Sequence, residues 1–127
     1  MINDTGKIIG IEHIKEIHEK SFECIEKNHK NLIDDGKIIL VCDDGRKGYK
    51  KYAPYKVIHV GAAVEVIPKE LIEQLDLGGR MFIPVGKLEQ QFINLIDKDL
   101  NGKVTFQNVL NVRYGFLTSI EDQLNRK

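Results

Sequence analysis

Between Lys7 and Ala63 the sequence alternates apolar, β-branched runs with amphipathic or polar segments, an order that suits strands joined by a helical crossover. The first run, KIIGI at Lys7–Ile11, follows a Thr-Gly turn signal and fits a buried parallel strand better than one turn of helix. From Glu12 to about Asn28, the side chains of Ile14, Ile17, Phe22 and Ile25 share a broad helical face, and Lys, Glu and His mostly fill the rest. Asp34-Asp35-Gly36 ends the connection to a second strand, KIILVC. A polar turn built on Asp43, Asp44, Gly45 and Arg46 then leads through a Tyr-rich loop to a third strand, KVIHVGAA.

The second half continues the alternation and then changes it. Pro68 stands where an N1 proline would, opening a helix through KELIEQL that is expected to stop at Gly78-Gly79. RMFIPVG is a fourth strand. QQFINLID and KVTFQNVLNVRYGF flank Asn101-Gly102, a pair that favours a hairpin of the I′ type. Strand-helix-strand alternation with a terminal hairpin predicts an α/β, doubly wound, mostly parallel sheet with an antiparallel edge. With 127 residues the chain fits one domain, enough to bury roughly two-thirds of its unfolded surface.

Charge and composition narrow the partners. Nineteen basic and nineteen acidic residues cancel, and no like-charged block is long enough to track a nucleic-acid backbone. No apolar run approaches the ~20 residues of a spanning helix, and MINDTGKIIG has neither a basic n-region nor a long apolar core, so the expected location is cytoplasmic. Cys24 and Cys42 lack C-x-x-C spacing and read as reduced structural thiols.

In doubly wound sheets ligands bind at the carboxyl ends of strands, which directs attention to Glu12, to Asp43–Arg46 and to Gly61–Ala63. An acid closing one strand can accept from both hydroxyls of a ribose, and an acid at the next strand end can accept from the exocyclic amine of an adenine. The alternatives are an acid favoured at a helix start and a solvated turn. His59 reads as a half-buried, hydrogen-bonded strand residue, whereas His18 and His29 read as helix-surface residues. Lys47, Lys50 and Lys51 form a basic, Tyr-interleaved loop, more simply a solvated one. Neither H-E-x-x-H nor G-x-S-x-G occurs, and no G-x-G pattern is present. A phosphoreceiver domain is a further reading of IILVCDD. It is disfavoured because the following strand ends in Gly-Ala-Ala rather than a phosphoacceptor Asp.

GKIIGIEHIKE, LVCDDGRKGY, APYKVIHVGAA, LIEQLDLGGRMFIPVG and LTSIEDQ together resemble the C-terminal half of the protein-L-isoaspartate (D-aspartate) O-methyltransferase family, over about residues 5 to 123. The resemblance implies a class I S-adenosylmethionine-dependent, Rossmann-like methyltransferase fold. It also implies methyl transfer from S-adenosyl-L-methionine to the α-carboxylate of isoaspartyl residues, with S-adenosyl-L-homocysteine as product and isoaspartyl-containing proteins as substrates. It places the cofactor site on Glu12 and His13, on Asp44 and Gly45, and on Thr118 and Gln123. Asp43, Lys56, Leu77 and Gly115-Phe116 depart from the usual pattern, where Gly, Asp, Pro and Val-Pro are common.

The family's glycine-rich loop and its Ser-Ala-Pro-His motif would precede residue 1, so the resemblance implies a partial methyltransferase domain over residues 1–127, inactive by itself. A noncatalytic remnant that binds adenosine or a partner is the alternative. Without the first strand, the runs at Lys7–Ile11 and Lys56–Ala63 are expected to expose edges carrying Ile8, Ile9, Ile58 and Val60, and to leave the isolated chain marginally stable, so that it either self-associates or requires the missing segment in trans.

Overall fold

Ile8–Glu12 forms β1 and Ile38–Cys42 forms β2, and the two pair in parallel with Ile8 opposite Ile38 and Glu12 opposite Cys42. A parallel pair needs a crossover, and α1, Lys15–Asp34, supplies it. The structure, a computed structural model, describes residues 6–87 and 90–112. Among these, one compact unit runs to Gly45 and a second begins at Arg46.

In the first unit α1 kinks at His29, whose φ of −139° leaves the helical region, so the regular helix ends where the periodicity places it and a further turn continues to Asp34. Ile14 and Ile25 are half-buried as expected, together with Ser21 and His18. Ile17 and Phe22, read as members of the same face, lie exposed at its two margins. His18 is not a surface residue. Its Nε2 lies 3.1 Å from the Leu40 carbonyl, which ties the first half of the helix to the middle of β2. Such a bond satisfies a polar ring on a helix face that turns inward.

The second unit holds the buried core. Its sheet has the order β3-β4-β5-β6, with β3 at Tyr55–His59, β4 at Leu75–Lys87, β5 at Gln90–Lys98 and β6 at Val104–Val112. β3 is parallel to β4, and the remaining pairs are antiparallel. Beyond His59 the chain stays alongside β4, with bonds from Val60 N–H to Phe82 and from Val64 N–H to Pro84. Val64, Leu71, Leu75, Met81, Ile83 and Ile96 form the core cluster, and Ala63 is fully buried. Removing a side chain such as Ile83 from a site of this kind costs roughly 2–5 kcal/mol.

Three local expectations are corrected. The helix after Pro68 is short, with Pro68 at its N-cap and α2 spanning only Lys69–Glu73. Leu75–Gly79 belongs to β4 instead, because Leu75 pairs with Tyr55 and the Gln74 carbonyl accepts the Tyr55 N–H at 2.7 Å. The β5–β6 turn is not type I′. No non-glycine residue among those described has positive φ, and within this turn only Gly102, at +87°, enters the left-handed region. Gly102 N–H donates to the Asp99 carbonyl, and the Asp99 carboxylate accepts from the N–H groups of Asn101 and Lys103. This is a type I turn followed by a left-handed glycine. Finally, His59 is exposed rather than half-buried, since β3 is an edge strand of its sheet and Val57 beside it is 63% exposed. Ile8 on β1 is 46% exposed, while Ile9, Ile58 and Val60 are half-buried. No helix among the described residues is long and apolar enough to cross a membrane.

Candidate functional site

Parallel pairing brings the acids of the first unit to one edge. Glu12 is the last residue of β1 and faces Cys42, the last of β2, so Asp43 and Asp44 follow directly at the same carboxyl end. The Glu12 Oε1 accepts the Ile14 N–H at 3.0 Å, at the N-cap residue of α1. That bond satisfies one of the helix's orphan donors and holds the carboxylate in place. A carboxylate offers about four lone-pair sites, so acceptor capacity for two hydroxyls remains. His13 is half-buried and follows Glu12 where the strand gives way to the helix.

At the end of β2 the two aspartates differ. Asp43 is exposed, and its Oδ1 accepts the Asp44 N–H at 2.7 Å. This bond fixes the peptide that carries Asp44. Asp44 and Gly45 are half-buried, and Gly45 begins a 3-10 turn through Lys47. Cys24 and Cys42 are both free and exposed rather than packed as structural thiols. Cys42 thereby becomes a marker of this edge, which its sequence surroundings did not indicate. Thr118 and Gln123 lie outside the described residues. Among the described residues no three His, Cys, Asp or Glu side chains gather to hold a metal.

The residue that sequence reasoning missed is Gln74, in the second unit. It is 3% exposed, and its amide spans the Tyr-rich loop: Oε1 accepts the Tyr49 N–H at 2.8 Å and Nε2 donates to the Lys47 carbonyl at 2.9 Å. Gly48, between them, has φ +62°, and a Cβ there would stand 2.2 Å from the Gln74 Oε1. The Tyr55 hydroxyl donates to the Tyr49 carbonyl and closes the loop's far side. Burial, followed by the neighbouring Tyr49 phenol, raises the pKa of Tyr55 above its ordinary value. The available signal was a lone amide between Leu71 and Leu75, in a stretch whose apolar residues form the core. Across β4 and β5, Arg80 donates to Asp97 through Nε at 2.7 Å and Nη2 at 3.2 Å, an exposed pair that marks register.

Comparison with known proteins gives the family and the fold. The profile described as "Protein-L-isoaspartate(D-aspartate) O-methyltransferase (PCMT)" matches residues 1–122. A Caenorhabditis elegans protein-L-isoaspartate O-methyltransferase is 43% identical over 127 residues, covering 99% of this chain and 56% of that protein. A Triticum aestivum relative of the same name is 44% identical over 98% of this chain and 54% of its own length. The chain thus spans about half the length of these curated relatives. Among solved structures, a Plasmodium falciparum protein described as a putative protein-L-isoaspartate O-methyltransferase in complex with S-adenosyl-L-homocysteine superposes with a TM-score of 0.78. It is 22% identical and covers 88% of this chain and 52% of that one. A second structure, named protein-L-isoaspartate O-methyltransferase, gives the same TM-score at 25% identity over 98% of this chain and 40% of its own. The α/β fold with a mixed sheet is that of the class I methyltransferases expected from the sequence.

Proposed function

The chain belongs to the protein-L-isoaspartate(D-aspartate) O-methyltransferase family, and we propose that it acts in the transfer of a methyl group from S-adenosyl-L-methionine to the α-carboxylate of L-isoaspartyl and D-aspartyl residues in damaged proteins. The observation that carries this reading is the β1–β2 register, which gathers Glu12, Asp44 and Gly45 at one carboxyl edge. The donor set fits an adenosine. Glu12, held by Ile14 N–H, takes the ribose hydroxyls, and Asp44 takes the exocyclic amine beside the Gly45 backbone. His13 borders the ribose, and Thr118 and Gln123 complete the set in the family pattern.

When bound, the cofactor supplies an electrophilic methyl group on a sulfonium sulfur. The attacking group is the substrate's own carboxylate, which is ionised at neutral pH, so no side chain of this chain has to move a proton. Its residues contribute by holding the adenosine and so orienting what is attached to it. Positioning of this kind accounts for a large share of the barrier lowering in a displacement between two bound partners. The substrates are isoaspartyl-containing proteins and peptides, and the site of action is the cytoplasm. The exposed Ile8 and Val57, on edge strands of their respective sheets, support self-association of the isolated chain, which sedimentation measures.

The test joins residues 1–127 to the part of the C. elegans relative that they do not match. Calorimetric titration with S-adenosyl-L-homocysteine is expected to show binding, weakened by ~1–3 kcal/mol in Asp44→Ala and in Glu12→Ala, since each change strips a ligand polar group of its partner. Unchanged affinity in both variants refutes the assignment. Binding without methyl transfer to an isoaspartyl peptide leaves the noncatalytic reading in its place.

A further inference from the structure

From Gly45 to Val64 the chain contains Arg46, Lys47, Lys50, Lys51 and Lys56 but no Asp or Glu, although the whole molecule carries equal numbers of acids and bases. Lys56 is set apart, because its Nζ lies 3.3 Å from the Asp76 carboxylate and donates to the Leu77 carbonyl. Arg46, Lys47, Lys50 and Lys51 are all exposed, and of these Arg46 has a partner of its own. They are carried on two short 3-10 turns, Gly45–Lys47 and Lys50–Tyr52.

Basic loops are common, and most are merely solvated. This one differs in how it is held. The buried Gln74 amide grips it at Lys47 and Tyr49, Gly48 lies against that amide too closely for any side chain, and the Tyr55 hydroxyl takes the Tyr49 carbonyl. Three lysines, Lys47, Lys50 and Lys51, are therefore presented by a fixed backbone, so a partner does not have to order the loop in order to bind it. A buried polar residue committed to shaping an exposed cationic segment is hard to account for by solubility alone.

We propose that Lys47, Lys50 and Lys51 form an electropositive docking surface for acidic stretches of polypeptide. The preference for acidic peptides does not rest on the methyltransferase reading above. Single-stranded nucleic acid fits less well, because such binding depends on open aromatic faces on which bases stack. Tyr49 and Tyr52 are half-buried and packed on each other with ring centroids 5.9 Å apart, and the Lys51 ammonium stands 5.5 Å over the Tyr52 ring. Their faces are engaged, and charge is what the surface offers.

Fluorescence anisotropy on the full chain tests this with a labelled peptide rich in Glu, its Gln counterpart and a single-stranded oligonucleotide of matched length. At low ionic strength the Glu peptide should bind about tenfold more tightly than the Gln peptide, the sum of several individually weak exposed pairs. The preference should vanish at high salt and in Lys50→Gln/Lys51→Gln, a surface double variant whose circular dichroism melt should match the parent. Equal affinity for both peptides, or a preference that survives the double variant, overturns the proposal. So does tighter binding of the oligonucleotide. In the joined protein, preference for the Glu peptide without binding of S-adenosyl-L-homocysteine refutes the cofactor reading and leaves the docking surface standing.

Discussion

Replacing Gln74 with leucine tests whether the buried amide organises the loop. Leucine is close to glutamine in volume, so the cavity left behind is small and the cost is mainly that of two hydrogen bonds. Tyr49 N–H loses its acceptor at 2.8 Å, and the Lys47 carbonyl loses its donor at 2.9 Å. Lys47 is exposed, so water can reach its carbonyl and the penalty there lies at the low end, ~1 kcal/mol. Tyr49 is half-buried, and stranding its N–H costs more, ~1–3 kcal/mol. The total is ~2–4 kcal/mol. For a chain of this size that lowers Tm by roughly 6–15 °C. Two assays check it: thermal unfolding by circular dichroism, and limited trypsin digestion, which reads cleavage after Lys47, Lys50 and Lys51. The variant should be cut in the loop well before the parent, while cleavage elsewhere is little changed. A stability loss below ~0.5 kcal/mol together with unchanged loop cleavage would refute the argument, because it would mean the loop keeps its shape without the amide.

Two further outcomes follow from the geometry. Cys42 is exposed and sits opposite Glu12, so in the joined protein S-adenosyl-L-homocysteine should slow its alkylation by iodoacetamide several-fold while Cys24 reacts at an unchanged rate; equal slowing of both thiols would locate the ligand elsewhere. Burial raises the Tyr55 pKa in the folded state, so its contribution to stability is fully present below the unfolded value of about 10 and is lost as pH rises through the higher folded value. Denaturant melts across that alkaline window should show a steeper loss for the parent than for Tyr55→Phe, and parallel losses would contradict the assignment.

Much of this molecule was legible because short β-branched runs admit few alternatives. KIIGI, KIILVC and RMFIPVG became β1, β2 and part of β4 with boundaries within a residue or two, apart from the added Leu75–Gly79. What failed had tertiary causes. The helix at KELIEQL was cut short because Leu75 found a strand partner in Tyr55, and a local propensity yields to a ladder of that kind. Asn101-Gly102 favours a I′ turn in isolation, but Asp99 captures the N–H groups of Asn101 and Lys103 and stabilises the type I alternative. His59 and His18 exchanged roles for the same reason: exposure depends on which strand lies at an edge and which helix face turns inward, and neither is written in the neighbouring residues. The placement of Glu12 and Asp44 at the carboxyl ends of β1 and β2 was legible from the pattern of strands. Gln74 was not, because its partners, Lys47 and Tyr49, are distant in sequence and bind it through backbone atoms.

The candidate site belongs to a register more than to any one residue. Side chains on a strand alternate faces, so a slip of β1 against β2 by one residue would set Glu12 opposite Val41 or Asp43 and turn every side chain of one strand to the other face. Two bonds at the start of the crossover oppose such a slip. Glu12 holds the Ile14 N–H, which fixes where β1 ends and α1 begins, and His18 holds the Leu40 carbonyl, which fixes the helix against β2 two residues before Cys42. A third, Ile8 N–H to the Lys37 carbonyl at 2.8 Å, pins the start of the ladder. None of the three needs a ligand. The distance between the ends of Glu12 and Asp44 is therefore set by the fold before any adenosine arrives, and a ligand that spans them meets a preorganised pair. His18→Ala, at a residue that touches no proposed ligand atom, should therefore weaken calorimetric binding of S-adenosyl-L-homocysteine in the joined protein, through the register that the Leu40 bond holds, and an unchanged affinity would refute this.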